Sequence, residues 1–149
     1  MSVGFNELGL TTEPEWAYLA GILDGEGTIT LSVRQNRKVF SATNRILIFN
    51  TNRDMIDWIQ ERFGGILRIH LREGHNNRDG RHESFGGKTV YRLDWANIPD
   101  ILHILRGVIP YLTAKKVAAE MVEYLLTLPK EMEQERMETF KLIKEVQHG

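Results

Sequence analysis

Residues 28–34, Thr-Ile-Thr-Leu-Ser-Val-Arg, alternate polar and apolar side chains without a break. Successive side chains of a strand point to opposite faces, so this run specifies a strand with one dry face and one wet face. Residues 66–72 repeat the pattern, with Ile69 and Leu71 on one side and Arg68, His70 and Arg72 on the other. Two partners are expected. One runs from about Lys38 to Phe49 after a Gln35-Asn36-Arg37 turn. The other, about Lys88–Trp95, returns from a Gly- and Asn-rich hairpin tip at residues 73–87.

Helical patterns separate and follow these strands. Thr12 suits an N-cap, with Glu13, Pro14 and Glu15 in the first turn. Trp16, Ala17, Leu19, Ala20 and Leu23 then recur at helical spacing, and Gly25 and Gly27 end the helix near Asp24. Asn50-Thr51-Asn52 can cap a second helix over 53–63, stopped by Gly64-Gly65, with Met55, Ile56, Ile59 and Phe63 inward. Three more helices are expected at 98–106, 114–128 and 130–147, bounded by Pro110 and Pro129, the last carrying a stripe of Met132, Arg136, Phe140 and Ile143. The order α-β-β-α-β-β-α-α-α predicts an α+β fold: a four-stranded antiparallel sheet with helices on one face and the other face open. The 149 residues suit one domain, 1–149, with no internal repeat.

The expected open face is unusually one-signed. Its positions are Thr28, Thr30, Ser32 and Arg34, then Ser41, Thr43 and Arg45, then Arg68, His70 and Arg72, then Lys88 and Arg92. Through Arg92 this set holds no Asp or Glu, whereas a solvated sheet face normally mixes signs in stabilising cross-strand pairs. The formal net charge of −1 hides this segregation. Residues 1–33 carry five acids and no Lys or Arg, while residues 34–92 carry twelve Lys and Arg against six Asp and Glu. A basic face rich in Arg, Thr and Ser suits phosphates and base edges, and β-ribbons enter the major groove. The bland alternative is a solvated face that happens to be basic. Cysteine is absent, which excludes disulfides and thiolate metal sites and leaves oxygen or imidazole ligands for any metal. No apolar run approaches a membrane span and residues 1–12 lack a signal-peptide pattern, so an intracellular setting is expected, in a microbe or an organelle.

The most specific feature is Leu19-Ala20-Gly21-Ile22-Leu23-Asp24-Gly25-Glu26-Gly27. It resembles the signature of the LAGLIDADG homing endonucleases. Leu19, Ala20, Gly21, Asp24 and Gly27 match, Ile22 and Leu23 are conservative, and Glu26 stands where Asp is usual. The element order resembles that family's αββαββα core as well. Ala20 and Gly21 are small enough to let two copies of the helix pack backbone to backbone. The glycines allow a sharp turn into the first strand and bring carbonyl groups close to a metal.

The resemblance implies a site-specific DNA endonuclease. A single motif per chain implies a homodimer, with Leu19, Ala20, Gly21 and Asp24 at its interface and a palindromic or pseudo-palindromic duplex DNA target cut with a stagger. Glu26 is the implied catalytic acid, and Glu26 with the Gly25 carbonyl the implied metal ligands. Mg²⁺ is the implied cofactor, with Mn²⁺ or Ca²⁺ as substitutes, Ca²⁺ as a non-catalytic one. Lys115, or next to it Lys116, matches a basic active-site residue. Asn52 falls near a water-positioning residue and reads equally as a helix N-cap. The basic face corresponds to the family's DNA-contacting strands, and His75, Arg78, Arg81 and His82 of the hairpin tip are candidates for backbone contact; a metal site at the two histidines has no supporting spacing. Two other readings use the same scaffold: an intron RNA-splicing maturase, for which RNA is the partner, and a DNA-binding protein that does not cut.

Overall fold

The structure, a computed structural model, describes residues 11–35, 40–71, 75–76, 82–83, 88–129 and 132–148, with residues 31–35, 40–43, 71, 75–76, 82–83, 133, 136, 140 and 147–148 described by their backbone. Strand β1 (Gly27–Gln35) pairs antiparallel with β2 (Phe40–Asn50), Thr28 lying opposite Leu47 and Thr30 opposite Arg45. Strand β3 (Ile66–Leu71) leads to a two-residue ladder of β4 (His75–Asn76) and β5 (His82–Glu83), and β6 (Thr89–Trp95) returns. The main sheet has the order β1-β2-β6-β3, antiparallel throughout. The hairpin tip thus holds a short ladder of its own.

The alternation reads correctly in this register. Ile29, Ile46, Ile48, Leu93 and Trp95 are buried on the inner face, where the helices pack. Thr28, Thr30, Arg45, Arg68, His70 and Arg92 share the outer face, to which the core contributes no residue. The register also sets Ser32 opposite Thr43 and Arg34 opposite Ser41. Lys88 is exposed just before β6, while Arg72, Arg78 and Arg81 lie outside the described residues.

Helix α1 (Glu13–Glu26) starts with a reciprocal cap. Glu15 N–H donates to Thr12 Oγ1 at 3.4 Å, and Thr12 N–H donates to Glu15 Oε1 at 3.0 Å. It ends later than the sequence suggests. Gly25 does not break it, and the turn comes at Gly27, where an added Cβ would stand 2.5 Å from Leu23 Cδ2. Gly27 has an ordinary extended φ, so packing and not backbone freedom requires the glycine. Helix α2 (Arg53–Phe63) buries Ile56, Ile59 and Phe63 and stops at Gly64 and Gly65, both at positive φ.

Helix α3 (Ile98–Val108) runs into a short 3₁₀ turn at Ile109–Tyr111, and α4 (Lys116–Thr127) and α5 (Glu133–His148) follow. On α5 the expected stripe is only partly present. Ile143 is buried together with Thr139, and Met132 is exposed ahead of the helix; the side chains of Arg136 and Phe140 lie outside the described residues. Among the described residues no helix is long and apolar enough to cross a membrane.

Candidate active site and nucleic-acid interface

The foot of α1 meets three other segments. Glu26, exposed, ends the helix at the point where β1 begins. Asn50, the last residue of β2, donates from Nδ2 to Glu26 Oε2 at 2.7 Å. Its Oδ1 in turn accepts the backbone N–H of Asn52 at 2.8 Å, which fixes the amide so that its NH₂ faces the carboxylate. Asn52 is occupied elsewhere: its Oδ1 accepts from Met55 N–H at 3.1 Å and caps α2. Of the two readings open for Asn52 in the sequence, the geometry therefore gives the cap. The polar side chain beside Glu26 is Asn50, two residues earlier. A turn-forming Asn-X-Asn pattern signals that one asparagine must serve the turn and one the helix, but not which of them reaches an acid 24 positions away.

Lys115 closes the same corner. Its Nζ donates to the carbonyls of Leu23 at 2.7 Å and Asp24 at 2.9 Å, at the negative end of the α1 dipole. Asp24 ties the junction from the other side. Its Oδ2 accepts from the N–H and hydroxyl of Thr113 at 2.8 and 2.9 Å, and its Oδ1 accepts from Lys115 N–H at 3.0 Å. Burial pushes the Asp24 carboxyl up, but the bonds from Thr113 and Lys115, together with the lysine charge, outweigh it and hold it below the usual carboxylate range. Lys116, the alternative basic residue, is exposed on the first turn of α4.

Three of the four expected interface residues are engaged within the chain. Leu19 and Ala20 are fully buried in its own core, because α1 turns the 16-19-20-23 stripe toward the sheet and α3. Asp24 is engaged with Thr113 and Lys115. The Leu19 and Ala20 side chains are thus not presented to a second chain. Gly21 and Gly25 are different. Both are exposed, and a Cβ built on either meets nothing within 4 Å. Among the described residues nothing requires glycine at these two places. Tyr18, 46% exposed, flanks them and stacks edge-on against Trp58.

The outer sheet face also carries an acid, one alternation step beyond Arg92. Asp94 continues the 88-90-92 alternation outward and is only 3% exposed. Arg92 grips it with two bonds, Nε to Oδ1 at 2.8 Å and Nη2 to Oδ2 at 2.7 Å, while Arg68 reaches Oδ2 through Nε at 3.4 Å. Leu47 and Phe49 lie on the same face by the same parity, and the Arg92 guanidinium lies 6.0 Å from the Phe49 ring centre. Among the described residues the face is therefore basic around the Asp94 carboxylate and is not free of acids. Arg45 Nε is buried and has no hydrogen-bond partner among the described residues.

For a metal, one chain supplies a partial set. The donors at the foot of α1 are hard oxygens, the Glu26 carboxylate and backbone carbonyls, which suit Mg²⁺ and not a soft ion. Among the described residues no three His, Asp or Glu side chains gather at one point. The Glu26 carboxylate and the nearby carbonyls fit a hard cation.

The Leu19–Gly27 segment at the head of a β1-β2-β6-β3 sheet with helices on one side gives the chain the fold of the LAGLIDADG homing endonucleases. Among solved structures the chain is similar to the homing endonuclease I-CvuI in complex with its target in the presence of calcium. The TM-score is 0.63 and the identity 20%, covering 90% of this chain and 80% of that one. It is similar also to the archaeal intron-encoded homing endonuclease I-Vdi141I complexed with DNA, at TM-score 0.57 and 18% identity, with 90% and 80% covered. The LAGLIDADG meganuclease I-AabMI bound to uncleaved DNA aligns at TM-score 0.58 and 18% identity, over 88% of this chain but 42% of that one. By sequence, no family model and no curated protein matches the chain.

Proposed function

We propose that residues 1–149 form one subunit of a homodimeric, divalent-metal-dependent DNA endonuclease that makes a staggered cut in a palindromic or pseudo-palindromic target. The observation that carries this is the Glu26–Asn50 pair at the foot of α1, next to a sheet whose open face presents Arg and Thr. The fold supports it, since neighbours of the same fold were solved on DNA.

Glu26 and the Gly25 carbonyl hold the cation in this reading. When bound, a hard divalent ion lowers the pKa of water and stabilises charge on phosphate oxygens. Asn50 orients Glu26 by donating to Oε2, which holds the carboxylate that would bind the cation in one position. Lys115 caps the Leu23 and Asp24 carbonyls and sets its positive charge against the negative end of the α1 dipole, beside the place where a phosphate would sit. Asp24 locks Lys115 and Thr113 in place. Two such corners are brought together when α1 packs on its two-fold mate across Gly21 and Gly25, where the open space beside each glycine admits a neighbouring backbone. Each sheet then reads one half-site.

Selection of cleaved duplexes from a randomised DNA library with Mg²⁺ tests this. Recovery of a symmetric target cut on both strands is expected. Tight, selective DNA binding with no nicking in Mg²⁺ or Mn²⁺ would assign the chain to a non-cleaving DNA-binding role, and selective binding of structured RNA alone would favour a maturase.

A further inference from the structure

The three charged groups at the centre of the outer face are not equivalent. Asp94 sits on β6 between Leu47 of β2 and Ile66 of β3. In the adjacent row, Phe49, Arg92 and Arg68 lie side by side. Arg68 and Arg92 are thus direct cross-strand neighbours of like charge, an arrangement that is destabilising without a counter-charge. Asp94 supplies the counter-charge, and it is almost completely covered by the arginines and the neighbouring strands.

The two arginines are held unequally. Arg92 commits Nε and Nη2 to the carboxylate in a fork at 2.8 and 2.7 Å, and its side chain is 19% exposed. Such a planar, charge-assisted fork fixes orientation as well as charge. Arg68 gives Asp94 only its Nε, at 3.4 Å, and its side chain is 52% exposed. An arginine tethered through Nε turns its Nη1 and Nη2 end away from the tether. That end is the donor pair that matches O6 and N7 of guanine in the major groove.

We infer that Asp94 is a specificity-positioning residue: with Arg92 as buttress, it aims Arg68 at one guanine in each half-site. Arg92 contributes charge and support and does not read a base. The inference rests on the DNA-binding function proposed above and assigns different work to three residues that share one face.

The arrangement makes an unusual sign prediction. Removing an acid from a DNA-facing surface ordinarily strengthens non-specific binding, because one repulsive charge is gone. Asp94→Asn should do that and yet lose base discrimination, since the tether on Arg68 is weakened.

The test is selection of bound sequences from a randomised duplex DNA library, followed by affinities for the selected duplex and single-base variants across a salt series. In wild type, one guanine per half-site should be lost from the preference when Arg68→Lys is introduced. That variant keeps the charge and the salt dependence but cannot make the forked contact; a fall of about ten-fold in discrimination at that base pair is expected. Asp94→Asn and Arg92→Gln should each reduce discrimination at the same base pair and leave other positions unchanged. Arg92→Gln guards against a folding failure of Asp94→Asn. Base preferences unchanged in Asp94→Asn and Arg92→Gln, with Arg68→Lys also silent, would overturn the inference while leaving DNA binding intact. A preference that moves to a different base pair in Arg92→Gln would overturn it too, by making Arg92 a reader. A wild-type protein that binds no duplex DNA at any salt would overturn both the inference and the function beneath it.

Discussion

Asn50 Nδ2 lies 2.7 Å from Glu26 Oε2, joining the last residue of β2 to the last residue of α1. The contact spans the seam where the helix enters the sheet, and it fixes one oxygen of an otherwise exposed carboxylate. Asn50→Ala removes the tether without touching the acid. Cleavage of the target is expected to fall by about 10²-fold, the usual effect of a small misplacement of a reacting group, with DNA affinity preserved. Asn52→Ala should behave oppositely, lowering stability by about 1 kcal/mol through loss of the α2 cap with little effect on cleavage. Melting curves and single-turnover rates on the two variants separate them; equal effects on both would contradict the assignment.

Asp24 predicts a pH signature. Its folded-state pKa is depressed, so its contribution to stability is present above the unfolded value of about 3.9 and disappears as pH falls through the lower folded value. Asp24→Asn should cost about 1–3 kcal/mol near neutrality, because one amide oxygen cannot replace two carboxylate oxygens serving three donors. Melting measured as the pH is lowered through that range should bring wild type and variant together. Curves that stay parallel throughout would show that Asp24 does not hold the junction.

Gly21 gives a prediction of sign. In a lone chain, Gly21→Ala should stabilise α1 by up to about 1 kcal/mol, because the site is helical, exposed and open. In a dimer built on α1 the added methyl meets the partner helix, so the midpoint should fall and dissociation should occur at higher protein concentration. Sedimentation across a dilution series, with thermal melts, distinguishes the two. A rise in stability with the assembly unchanged would remove α1 from the interface.

Much of this was legible in the sequence, for a physical reason. Strand alternation is local, so residues 28–34 and 66–71 assign their own faces, and the observed register agrees with them. Glycine positions in α1 were harder. Gly25 looked like a helix stop, yet α1 runs through it, since an exposed glycine costs a helix only about 1 kcal/mol and the Lys115 bonds at the helix end offset that. The inward stripe of Leu19 and Ala20 follows from helical periodicity, but the motif taken as a unit drew them to the interface instead. Asp94 was within reach of the same alternation that identified Arg92. Its pairing with two arginines on different strands was not, because no local pattern fixes the register between β3 and β6. The Glu26–Asn50 contact is likewise a product of tertiary packing.

The proposed function gives Lys115 a second role besides capping α1, and one variant tests both together. Lys115→Met keeps the length of the side chain and removes the ammonium from the Leu23 and Asp24 carbonyls. A modest loss of stability is expected, along with a fall in cleavage rate of about ten-fold or more from the altered charge at the foot of α1. Full activity at reduced stability would leave Lys115 a purely structural cap.

The central claim is that Glu26 is the acid of a metal-dependent cutting site, and Glu26→Gln tests it most directly. The substitution keeps size and one acceptor oxygen but removes the charge that binds the cation. The measurement is paired binding and cleavage on the selected duplex, with Mg²⁺. The account predicts affinity close to wild type and no detectable cutting of either strand. Cleavage by Glu26→Gln at a rate near wild type would contradict it.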